Sequence, residues 1–437
     1  MGQLSGTAVD SAAPAPRAQN GIRLTARTML LNAGSLVGTT TITSGLGFVY
    51  WWVAARGFQP DAVGLAAAAS SATLLLGSVG SLGIGTLLVS ELPRHHDQRD
   101  ELLATGVAVA AAGGAILALA FAGLVPLLAP ELSPLARGLG PLALLTVGVA
   151  LTSVAYVIDQ VAVGMLRGHL QLLRNALFSA AKLIGLIAIA EWSLERGGVA
   201  IYASWAIGLL ISMLPLVGLA ISGRGWQPRS PLPWAAVTKL APSAIGHHAL
   251  NLVLQAPGLV LPLLATAAVG SVGNAYFYTA WMIAGFVFVG PTALASVLFA
   301  VGAQAPAELS KNLRFTLSLS VAVAIAAATF AFVAGGFILL LFGRAYADQG
   351  AAALDLLALG VFPLIAKSHY VAVARARRKV PQAAWRLALG GFFELLLSGV
   401  GAYSGGIEGL ALGWLVAVCI EAVFMLPSLY RTAMSSL

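Results

Sequence analysis

The feature that most constrains this chain is a succession of apolar runs, each about 20 residues or longer. That is the length an α-helix needs to cross about 30 Å of hydrocarbon. Twelve such runs can be marked, near 28–53, 62–90, 102–128, 139–166, 170–191, 198–222, 240–267, 271–303, 313–342, 347–374, 382–403 and 406–430. In lipid, backbone polar groups must be bonded within the chain, so the runs read as twelve transmembrane helices of an all-α, polytopic membrane protein. The composition of 59% hydrophobic and 9% charged residues points the same way, against about 45–50% and 25% in soluble domains. No stretch between runs is long enough for a groove-reading basic domain, so the net charge of +8 is not a nucleic-acid signal.

Charge sets the topology. If the runs alternate in direction, all 24 Lys and Arg except Arg56, Arg137, Arg196 and Arg344 fall on the side of the N-terminus. The positive-inside rule then expects both termini in the cytoplasm. The cluster from Arg375 to Lys379 reads as a topology anchor near anionic headgroups, with phosphate binding as the minority reading. Tyr50, Trp51, Trp52, Trp192 and Tyr346 fit an aromatic belt at the other interface. Residues 1–27, with Pro14 and Pro16, have no hydrophobic period and read as a disordered cytoplasmic tail.

A weak repeat divides the chain. At an offset of 209, Val63-Gly64-x-Ala66 matches Val272-Gly273-x-Ala275, Gly197 matches Gly406, and Trp205 matches Trp414. The expected organisation is two six-helix bundles, 28–222 and 240–437, related by a pseudo-two-fold axis and joined by a cytoplasmic linker, 223–239.

Polar residues inside the runs are the functional candidates. In span 7, Ser243, His247, Asn251 and Gln255 recur every fourth residue and form one stripe on a helix. Span 1 carries Asn32, Thr39 and Thr43 among its hydroxyls and glycines. Both helices suit a cavity wall; interhelical glue is the equal alternative for span 7, and close packing through small residues is the commoner explanation for span 1. Asp159 and Lys182 lie equal distances from a turn centred near residues 170 and 171, and Lys367 and Glu394 from one near 380 and 381. Each hairpin is therefore expected to carry an intramembrane ion pair, the alternative being lysines that snorkel to the interface. Asp355 and Glu421 have no obvious partner, and a bond to a hydroxyl or amide is the simplest expectation for each.

Other chemistries find little support. Cys419 is the single cysteine, His residues show no H-x-x-x-H spacing, and neither a G-x-x-x-x-G-K-[ST] nor a G-x-S-x-G motif is present. No metal, cofactor or catalytic residue is expected, and the chain is not read as an enzyme.

Three stretches carry a family resemblance: Phe58-x-Pro60-x-x-x-Gly64, Gly273-Asn-Ala-Tyr276-Phe-Tyr-x-Ala280 and Gly406-Ile-Glu-Gly409-Leu-Ala. With the twelve-span layout, residues 25 to 430 resemble the polysaccharide/oligosaccharide flippases of the multidrug/oligosaccharidyl-lipid/polysaccharide (MOP) exporter superfamily. The resemblance implies alternating-access movement of a polyprenyl-diphosphate-linked oligosaccharide across a prokaryotic cytoplasmic membrane, for cell-surface polysaccharide synthesis. It implies a cavity lined by spans 1, 2, 7 and 8, with Arg27, Arg174, Lys182 and Lys367 as cations for the diphosphate. A monomer working beside membrane lipids, a polymerase and glycosyltransferases is the family-like expectation. Relatives often place an acid on span 7, where this chain has Asn251 and Gln255. The alternatives are a multidrug/cation antiporter of the same superfamily and a non-transporting subunit of a polysaccharide assembly complex.

Overall fold

A computed structural model describes residues 26–95, 98–192, 197–222, 234–304 and 306–434. The expected tail and most of the expected linker lie outside these residues. The described segments are helical throughout apart from turns. The helices are α1 (Ala26–Gly57), α2 (Pro60–Gly80), α3 (Ile84–Glu91), α4 (Arg99–Leu128), α5 (Leu139–Gly164), α6 (Gly168–Trp192) and α7 (Gly198–Ser222). The second half holds α8 (Trp234–Gln304), α9 (Leu309–Phe342), α10 (Arg344–Leu359), α11 (Val361–Ala376) and α12 (Val380–Met434).

Glycine explains where helices and spans do not coincide. At 71 and 55 residues, α8 and α12 are far longer than a bilayer is thick, and non-helical backbone at Gly270 and at Gly405–Gly406 turns each into a hairpin. In α12 the returning helical arm of the hairpin is in tight register: a Cβ on Gly401 meets the Gly409 carbonyl, and one on Gly413 meets the Leu397 carbonyl. α2 and α3 form one span broken at Leu82 and Gly83, both at positive φ. α10 and α11 are bent by 41° at Gly360, whose missing side chain leaves room for the Trp414 ring. Counting these breaks gives twelve crossings. Among the described residues, eight helices are long and apolar enough to span on their own, or nine with the bent pair.

One end of the molecule carries Arg94, Arg99, Lys311, Arg314 and the cations from Arg375 to Lys379, and is called the basic end below. Toward the opposite end the halves share a single core, in which Tyr50, Phe58 and Val63 pack with Leu261, Ala275 and Phe277. Toward the basic end the cores are separate: Leu88, Leu102 and Val161 in the first half, Leu298, Leu313 and Met425 in the second. Because lipid is as apolar as leucine, this seam rests on close backbone approach and interhelical hydrogen bonds. Gly64 supplies both. A Cβ there would lie 1.7 Å from the Ser271 carbonyl oxygen, and the Gly64 carbonyl accepts from Asn274 Nδ2 at 2.8 Å.

Candidate functional site

In the first half, Asp159 is held by Arg174. Nε donates to Oδ1 at 2.7 Å and Nη2 to Oδ2 at 2.5 Å, while Asn175 Nδ2 donates to Oδ2 at 3.1 Å. This corrects the pairing with Lys182. The turn lies at Met165–Arg167, with Leu166 at φ 59°, about four residues earlier than the spacing argument supposed, so Arg174 is the residue level with Asp159. Arg174 is 5% exposed and its Nε–Nη2 edge is taken by Asp159, so it is a structural cation, with Nη1 left buried and without a hydrogen bond.

Lys182 has no carboxylate partner among the described residues. Its Nζ lies 4.8 Å from the centroid of the Tyr50 ring and 4.9 Å from that of Phe178. Two aromatic faces stabilise a desolvated ammonium through their quadrupoles. Tyr50 is itself anchored: its hydroxyl donates to the Ile201 carbonyl at 2.9 Å and lies 3.1 Å from the Ser204 hydroxyl.

The second half gathers more charge. Lys367 on α11 donates to Glu394, and its Nζ lies 2.9 Å from Glu421 Oε2, both acids being on α12. Trp414 Nε1 donates to the other Glu394 oxygen at 2.8 Å. All four are buried. Glu421 thus pairs with a lysine, not with the hydroxyl or amide that its isolation in the sequence suggests. It fits because Gly390 has no side chain, as a Cβ there would lie 2.4 Å from the Glu421 carboxyl carbon. Neither Glu421 oxygen has a well-aligned hydrogen bond, so its contact to Lys367 is chiefly coulombic.

Lys367, Glu394 and Trp414 of this cluster line a cavity of about 510 Å³ between α8, α11 and the two arms of α12. Trp281 and Trp414 meet in it edge to face, with centroids 5.1 Å apart. Thr292, Ser296 and Ser368 supply hydroxyls, and Arg375 stands toward the basic end. Arg375 Nη2 donates to Asn251 Oδ1 at 3.0 Å. Aromatic faces, hydroxyls and a cation whose partner is neutral make a site suited to a polar, anionic molecule.

The sequence-derived candidates therefore separate. Lys367, Glu394 and, through Arg375, Asn251 converge on this cavity, whereas Gln255 is exposed and is not part of its wall. Asp159, Arg174 and Lys182 belong to the first half. Thr43 donates to the Thr39 carbonyl of its own helix at 2.7 Å, and Thr39 is buried. Arg27, Asn32 and His247 sit on described helix backbone, but their side chains lie outside the described residues. For Arg375 and Glu421 the sequence argument noted the residue but missed its partner, Asn251 for the first and Lys367 for the second. Arg375 was hidden in a charge run, and only the position of α11 shows that it faces inward while Arg377 does not.

Comparison with known proteins places this geometry. A family model described as "Polysaccharide biosynthesis protein" matches residues 29–245. A search of curated proteins gave no match. Among solved structures, an inward-facing multidrug resistance MATE family transporter of the MOP superfamily is 16% identical, with TM-score 0.68 over 92% of this chain and 99% of that one. The lipid II flippase MurJ in its inward closed conformation is 12% identical, with TM-score 0.69 over 93% and 90%. A MOP superfamily transporter from Pyrococcus furiosus Vc1 is 13% identical, with TM-score 0.63 over 93% and 96%. The chain has the two-bundle fold of the MOP superfamily, and its residues 29–245 match the polysaccharide biosynthesis family.

Proposed function

We propose that this protein is a flippase that carries a polyprenyl-diphosphate-linked oligosaccharide across the membrane by alternating access. The bundles 28–222 and 240–437, joined through 223–239, rock about the seam at Gly64 and Asn274. The basic end faces the cytoplasm, following the distribution of Lys and Arg. The single observation that carries the reading is the match of residues 29–245 to the polysaccharide biosynthesis family.

The second-half cavity supports it chemically. Sugar rings stack on Trp281, which the buried Trp414 ring backs, hydroxyls bond Thr292, Ser296 and Ser368, and the diphosphate meets Arg375, while the lipid tail stays in the bilayer. Asn251 orients the guanidinium without neutralising it. Lys367 is engaged by Glu394 and Glu421, and its task is to hold the wall. A cationic drug would meet Arg375 as a like charge, so the antiporter reading fits this cavity less well.

Binding distinguishes the two. Purified protein is titrated with a short lipid-diphosphate-linked oligosaccharide and, separately, with tetraphenylphosphonium, using microscale thermophoresis. The flippase reading expects saturable binding of the first and none of the second. Binding of the cation alone supports the antiporter.

A further inference from the structure

A second cavity, of about 430 Å³, opens at the basic end on the other side of α11 from the first. Its wall includes four cations from different parts of the second half: Arg377 at the end of α11, Lys379 in the turn, and Arg386 and Arg431 near the two ends of α12. No carboxylate lines it. None of the four makes an ion pair with a carboxylate among the described residues, although Arg386 Nη1 donates to the Tyr370 hydroxyl at 3.3 Å. Four like charges around one concavity repel one another, and an anion between them removes that repulsion. A guanidinium pair with a nearby ammonium suits a phosphate, which accepts several charge-assisted bonds at once.

The hairpin register sets the depth of these groups. Gly401 faces Gly409 and Leu397 faces Gly413, so the same register puts Lys379 level with Arg431, and Arg386 level with Phe424. Phe424, also in the wall, is seven residues from Arg431, about 10 Å further toward the middle of the membrane by the helical rise. It is 75% exposed. The neighbouring Trp385 and Tyr430 are also exposed, as interfacial aromatics are. Lys379 and Arg431 at headgroup level, with the Arg386 guanidinium and an open apolar ring about 10 Å deeper, form an amphiphilic surface that matches an anionic lipid and not a soluble ion.

We propose that this cavity binds the phosphate of an anionic membrane lipid. It is a site separate from the transport cavity, and α11 is the wall between them. Arg375 and Lys367 look into one cavity, Arg377 into the other. A lipid seated there fixes the inner end of the α11–α12 hairpin. The inference does not depend on what the protein transports.

The test is binding of phosphatidylglycerol to purified protein, compared with phosphatidylcholine and with inorganic phosphate, by native mass spectrometry and by the shift in unfolding midpoint. Wild type and R314Q, which removes a cation elsewhere at the basic end, should prefer phosphatidylglycerol equally. R386Q/R431Q should weaken that binding by about 30-fold, and R386K/R431K should retain most of it. R431Q alone, at an exposed position in the last turn of α12, should lose about 5-fold and gives the same test if the double variant does not fold. Undiminished preference in the Gln variants, or an equal loss in R314Q, overturns the site. Inorganic phosphate binding as tightly as phosphatidylglycerol overturns its assignment to lipid.

Discussion

Asn274 Nδ2 in the second half donates to the Gly64 carbonyl in the first at 2.8 Å, so the two halves are bonded at positions next to one another in the sequence repeat. The contact requires that residue 64 have no side chain. Even alanine would place its Cβ inside the Ser271 carbonyl.

Gly64→Val is therefore expected to open the seam opposite the basic end. The readout is a cysteine reporter, Tyr276→Cys in a Cys419→Ser background, labelled with an impermeant thiol reagent. Labelling should accelerate about 10-fold or more with Gly64→Val, a shift of about 1.4 kcal/mol between closed and open seams. An unchanged labelling rate would mean that the seam does not close by this contact.

Asp159→Asn should destabilise the first half by about 3–5 kcal/mol, because it strands the buried Arg174 charge. Asp159→Leu with Arg174→Met should recover most of the loss, whereas Lys182→Met should not rescue Asp159→Asn. Denaturant unfolding in detergent checks this. Rescue by the Lys182 variant would return the pairing to the one expected from spacing.

Those two results bear on what the sequence can disclose. Twelve crossings and the two-bundle fold are legible, because run length and the backbone's need for internal hydrogen bonds dictate them. Side-chain partners inside the membrane are less so. A displacement of about four residues in the turn, at Leu166 and not near 170, shifts the pairing of α6 against α5 by about eight residues, roughly two turns, and exchanges Lys182 for Arg174. Glu421 finds Lys367 only because the α12 hairpin returns it beside Gly390, a contact between residues 31 apart. Neither signal is periodic, so neither is visible as a pattern.

Lys367→Met should cost about 3–5 kcal/mol by leaving Glu394 and Glu421 buried without their cation. Adding Glu421→Gln should restore part of that stability, since it removes one of the two stranded carboxylates. Thermal unfolding of the three proteins orders them. A single Lys367→Met variant as stable as wild type would contradict the cluster.

Asn251→Leu should lower transport by about 10-fold while leaving the unfolding midpoint close to wild type, because Arg375 loses the group that orients it. Gln255→Leu should change transport by less than about 2-fold, as this exposed residue is not part of the cavity wall. Initial rates in proteoliposomes separate the two. Equal effects would return the span 7 stripe to a single role.

The central claim is tested most directly by movement itself. Protein is reconstituted with a fluorescent polyprenyl-diphosphate oligosaccharide, and arrival in the opposite leaflet is followed by collisional quenching. The account predicts protein-dependent transfer that Arg375→Gln reduces by about 10-fold or more, with a folded variant and unchanged lipid composition. Transfer at the protein-free rate with every lipid-linked sugar tried, or full activity in Arg375→Gln, would contradict it.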